Sequence, residues 1–143
     1  VNVDDMAAML AEDRAEWQAL CAVLDARPDE VLHDPESPSW TARDVYAHLA
    51  RWIERSTAEL ESWVTNRTLL PKLEGDDDTI NARWQAEDAA LPFAEARSRA
   101  QAWFDRRIAA IEAVPADRWD AVAEACARAD GSTHYRGHRG YVK

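Results

Sequence analysis

His134-Tyr-Arg-Gly-His138 places two imidazoles four residues apart. On a helix that spacing puts both rings on one face, about one turn apart, as two ligands of a single metal ion require. In a chain with four histidines such a pair also arises by chance, so by itself it reads more readily as an exposed pair near a chain end. A third histidine, His48, falls beside an apolar stripe of a different helix, one turn from Val45 and Trp52. Alone it would be a satisfied histidine at the edge of a core. Three histidines that a bundle could bring together form a facial triad with open positions, the donor set of a hydrolytic or Lewis-acid site. His48 is the expected catalytic residue, because it stands at the mouth of an apolar stripe where water is partly excluded. Zn or Ni would suit three imidazoles, with occupancy left open. The fourth histidine, His33, lies beside Asp34-Pro35 and reads as a surface loop residue.

Helices must position these groups. Met6, Leu10, Trp17, Leu20, Cys21 and Leu24 repeat at helical spacing over residues 3–26. A second helix has the clearest start in the chain. Thr41-Ala-Arg-Asp44 can form a capping box, and Trp40 and Val45 flank it at staple spacing. It is predicted to run to Asn66 with Val45, Leu49, Trp52, Ser56, Leu60 and Trp63 on one side. The acidic Glu74-Gly-Asp-Asp-Asp78 reads as a solvated loop whose last residues cap a short helix over 79–90. A third long helix opens at Pro92 and stops before Pro115. Residues 116–131 are Ala-rich and ambiguous. The final helix begins near Ser132 or Thr133, although Gly137 and Gly140 inside it each cost about 1 kcal/mol relative to Ala. Long amphipathic helices with short connections predict a single all-α domain, an up-and-down bundle.

Composition narrows the function. The chain has 143 residues, enough for one domain, and a net charge of −10 that weighs against nucleic-acid binding. No apolar run is long enough to span a bilayer, and Val1-Asn-Val-Asp-Asp-Met6 lacks a signal-peptide pattern, so a cytoplasmic location is expected. Cys21 and Cys126 have no motif spacing and read as reduced packing residues. There is no Ser-His-Asp order, Gly-rich phosphate loop or Cys-x-x-Cys. Trp40, Tyr46, Trp52, Trp84, Trp103 and Tyr135 could line an aromatic substrate pocket between helices, although most Trp in such a chain serve the core. Asp44, one turn before His48, could orient its ring or simply cap the helix.

Trp40-Thr-Ala-Arg-Asp-Val-Tyr-Ala-His48-Leu-Ala-Arg-Trp52 resembles the second-helix signature of the DinB/YfiT-like superfamily of four-helix bundles. Within it, Thr79-Ile-Asn81, Val114-Pro-Ala-Asp-Arg-Trp119 and Gly131-Ser-Thr-His-Tyr135 are most similar to the ClbS/DfsB group. The resemblance runs from Met6 onward and places His48, His134 and His138 at the family's three metal-ligand positions. It implies a small protein that protects its producer from an electrophilic natural product, as the group's named member does against colibactin, by hydrolytic opening of a cyclopropane. Related branches imply one alternative, a transferase or isomerase using mycothiol or bacillithiol; a second, from another class, is a non-catalytic protein that sequesters the toxin in an aromatic pocket. The expected partner is a small electrophilic molecule. Membrane and nucleic acid are not expected, and a homodimer is left open.

Overall fold

The computed structural model of the protein describes residues 3–32, 34 and 39–140. Among them are α1 (Val3–Asp25), α2 (Ala42–Asn66), α3 (Asp77–Glu87), α4 (Phe93–Glu112), a 3-10 turn (Ala116–Arg118), α5 (Ala121–Arg128) and α6 (Ser132–Gly140). The all-helical bundle expected from the sequence is the fold observed, and its only strand-like pairing among the described residues is an isolated bridge between Val31 and Thr41. No helix among them is long and apolar enough to cross a membrane.

Short polar signals set the boundaries. The Asp44 carboxylate reaches back to accept the Thr41 backbone N–H at 2.9 Å and the Thr41 hydroxyl at 3.2 Å, closing the start of α2. Asp76 accepts from the Thr79 amide at 2.8 Å and starts α3, so the acidic loop does end in a cap. The ambiguous stretch 116–131 resolves into the 3-10 turn and α5, which Asp120 caps through the Ala123 amide at 2.8 Å.

Helix direction follows from the contacts. Along α1, Asp13, Trp17 and Asp25 meet Arg107, Gln101 and Arg97 of α4, so these two helices run antiparallel. Tyr46 and Glu61 of α2 meet Phe93 and Arg106 of α4, so α2 and α4 run the same way. The short α3 makes that arrangement reachable by carrying the chain back along α2 through Trp52–Asn81 and Arg51–Asp88 contacts. Beyond α4, α5 packs on α2 and α6 packs on α1.

The core is apolar where the helices meet. Ala96 and Ala100 are fully buried and allow α4 to approach α2 closely. Trp17 stacks on Phe104 with centroids 4.7 Å apart, and Tyr135 meets Trp17 edge-on at 5.0 Å. One expected core residue lies elsewhere. Trp52 is only half-buried, donates its indole N–H to Asn81 Oδ1 at 2.7 Å and meets Trp84 edge-on, while its neighbour Ile53 is fully buried. Trp63 is half-buried as well, with its indole N–H on Asp120. The buried stripe of a long helix drifts relative to a fixed seven-residue repeat, and an indole can satisfy its N–H best at the margin. Cys21 and Cys126 are free thiols, half-buried, with pKa values pushed up chiefly by burial.

Candidate metal centre

Two helices bring the three imidazoles together. His48 sits in α2 between the buried Ala47 and Leu49, and the Trp40 ring meets it edge-on at 4.9 Å. Trp40 is fixed by its own backbone carbonyl, which accepts from the Leu32 amide at 2.7 Å. His134 and His138 occupy successive turns of α6 and point the same way, as their spacing requires. His134 Nε2 is 3.1 Å from His48 Nε2 and 2.9 Å from His138 Nε2, and one nitrogen of each ring lies within 4.8 Å of the others.

Protonation favours a donor role. His134 Nδ1 lies 3.0 Å from Asp130 Oδ1; if that nitrogen carries the proton, it donates to the carboxylate and leaves the Nε2 lone pair facing the other two rings. Burial first, and the proximity of His134 second, push the His138 pKa down to about 3. His48 is lowered well below its ordinary value by burial, then by His138 and His134. Imidazoles held neutral near pH 7 are ready ligands.

The donor set fits a divalent ion. At ligand bonds of about 2.1 Å, nitrogen separations of 2.9 and 3.1 Å subtend roughly 90° at a shared ion, and three protein ligands leave positions free. Asp130 is placed to orient His134 through its other nitrogen, as second partners of metal-bound histidines commonly do. Asp130 adopts a left-handed backbone (φ 57°), which an Asp tolerates better than most residues. The i−4 spacing from Asp130 to His134 is present in the sequence, but a single Asp among many acidic residues carries no signal of its own. His48 Nδ1 is buried and, among the described residues, makes no hydrogen bond of good geometry. The Asn81 side chain shares its cavity and was also missed as a site residue.

The remaining candidates divide. Asp44 lines the same cavity as His48, but its oxygens hold the Thr41 amide, the Thr41 hydroxyl and the Arg43 guanidinium at 2.6 Å, which is the capping role. Trp40 and Trp84 line that cavity, and Trp52 touches Trp84 from one turn further along α2. Tyr46, Trp103 and Tyr135 do not line it. Tyr46 is fully buried, with its hydroxyl on Asp25 at 2.7 Å. Trp103 lies under the Arg106 guanidinium on α4, at a separate cleft. Tyr135 is fully buried against Trp17 and Phe104. The reason is angular: at about 100° per residue, Tyr46 points some 200° away from His48 and Tyr135 about 100° away from His134. His33 lies outside the described residues.

A cleft of about 340 Å³ flanks the centre, with Trp52, Arg55, Ser56, Lys72, Ile80 and Asp130 in its wall. It therefore shares Asp130 with the histidine cluster and offers a mixed, charged lining. No curated protein and no solved structure matches the chain closely enough to name a relative. The family model described as the DinB superfamily matches residues 10–140. That match spans the helices that carry all three imidazoles, and the chain belongs to the DinB superfamily.

Proposed function

We propose that the protein is a metal-dependent hydrolase of the ClbS/DfsB type, which disarms an electrophilic small molecule by adding water to it. The observation that carries this reading is the convergence of three imidazole nitrogens from α2 and α6. A divalent ion held by neutral donors alone keeps its full charge and supplies Lewis-acid chemistry to a bound oxygen or sulfur. His48, His134 and His138 would hold it, and Asp130 would keep His134 in the tautomer that presents Nε2. Trp40 and Trp84 exclude water from one side of His48, which strengthens every electrostatic interaction there. The substrate would lie in the neighbouring cleft, its apolar part on Trp52 and Ile80.

One feature favours a second reading. The cleft also presents Arg55, Glu59, Lys72 and Asp77, a lining suited to a hydrophilic co-substrate, so a thiol-dependent transferase would use the same three imidazoles. The experiment is to load the protein with Zn or Ni, add an alkylating cyclopropane, and follow products by mass. Turnover to a product heavier by one water supports the hydrolase. A product heavier by the added thiol, formed only when thiol is present, supports the transferase. Stoichiometric loss of free substrate without a new mass means sequestration and contradicts both.

A further inference from the structure

The most deeply buried ion pair stands away from the imidazoles but at the start of the helix that carries two of them. Asp13 of α1 and Arg107 of α4 are 1% and 2% exposed, with Asp13 Oδ2 2.7 Å from Arg107 Nη1. Each ion has a second task. Asp13 Oδ1 accepts the Ser132 backbone N–H, the first residue of α6, at 2.8 Å. Arg107 Nη2 donates to the Ala127 carbonyl in the last turn of α5 at 2.6 Å. Gly131 passes between them so closely that a Cβ there would stand 2.8 Å from Arg107 Nη2 and 2.9 Å from Asp13 Oδ1.

Such a pair is a poor way to stabilise a fold. Desolvating two charges offsets most of their attraction, and apolar pairs of similar volume often do as well or better. Arg107 Nε even lacks a partner among the described residues. What the pair supplies is direction: it fixes where one helix ends and the next begins. That matters for α6, which has only nine residues, two of them Gly, and is too short to hold itself in place. His134 lies two residues beyond Ser132, so any slip at the start of α6 moves both of its imidazoles. With nitrogen separations of 2.9 and 3.1 Å, a small slip suffices to break their convergence on His48.

We propose that Asp13 and Arg107 are positioning residues for the metal centre, locking the start of α6 to α1 and α4 so that His134 and His138 meet His48. The inference rests on the reading of the three imidazoles as one metal site, and its test separates the two. Asp13→Leu combined with Arg107→Met removes both charges together, leaving no orphaned ion. In this double variant the helical content and the Trp17–Phe104 contacts are expected to persist. In the metal-free protein, nuclear Overhauser contacts between the His48 and His134 rings, whose centroids lie 5.1 Å apart, should weaken or vanish. Cobalt(II) affinity should fall about tenfold or more, with a changed ligand-field absorption, as for other losses of support around metal ligands. A folded double variant with wild-type ring contacts and wild-type cobalt affinity overturns the proposal. Should the double variant fail to fold, Gly131→Ala pushes a methyl into the same pair and is expected to give smaller losses of both kinds. Unchanged ring contacts there overturn it equally. If the wild-type protein shows the ring contacts but takes up no cobalt, the metal-site reading fails, and the ring contacts alone decide the role of the pair.

Discussion

At the scale of single residues, the two most buried imidazoles are the most informative. His48 and His138 are both held neutral by burial and by their histidine neighbours. In the unfolded chain they would titrate near 6.5, so below that pH the unfolded state takes up protons that the folded state refuses. The metal-free protein should therefore lose stability as pH falls from about 6.5 toward the folded-state value of about 3, and should keep this contribution in full above pH 7. Urea midpoints across that range check the sign, and a midpoint that rises on acidification would contradict it. Asp130 gives a second residue-scale prediction. Asp130→Asn should weaken metal binding about tenfold or more through loss of the charged partner of His134, while leaving the helical content unchanged. Competition with a chromophoric chelator measures the effect. The triad itself was legible because each member is a rare residue type at a helical spacing. Asp130 is harder to see, since in so acidic a chain one more Asp does not stand out, and Asn81 has no partner at ligand spacing to mark it.

Among the elements, α2 was legible from end to end and α5 was not. Thr41, Asp44 and the flanking Trp40 and Val45 mark a start that only a helix uses, and the cap is present. Residues 121–128 are Ala-rich, and Ala carries little facial contrast to reveal a period. Which α2 residues face the core was legible only approximately, because a large aromatic was given the place that Ile53 holds. The difference has a measurable consequence. Ile53→Ala should cost about 2–5 kcal/mol, a large share of a small domain's stability, because it opens a cavity between packed helices. Trp52→Ala should cost clearly less in denaturant, since that ring is half-buried, while losing the Asn81 hydrogen bond and a wall of the cleft. Equal losses would mean that Trp52 belongs to the core after all. For α6, the two glycines argued against a stable helix, yet it forms. The compensation is long-range: the Tyr135 ring is buried against α1 and α4, and Arg136 and Arg139 reach Glu12 and Glu16 of α1 at 2.6 and 2.8 Å. No local rule reveals partners about 120 residues apart in sequence.

For the whole molecule, the second-helix resemblance pointed to the right superfamily, and the matching family model extends over residues 10–140. The substrate is not written at that scale, because a bundle of this kind supplies a place for chemistry and not its target. The cleft is the element that would choose it, and its lining is charged as well as aromatic. On the proposed function, α2 and α6 jointly hold a single divalent ion through His48, His134 and His138. Equilibrium titration of the metal-free protein with Zn, in the wild type and in His48→Ala, His134→Ala and His138→Ala, tests it most directly. One ion per chain is expected in the wild type, with a loss of about a hundredfold or more in affinity for each variant, because losing any one of three protein ligands dismantles the site. Zn affinity in His48→Ala equal to that of the wild type would contradict it.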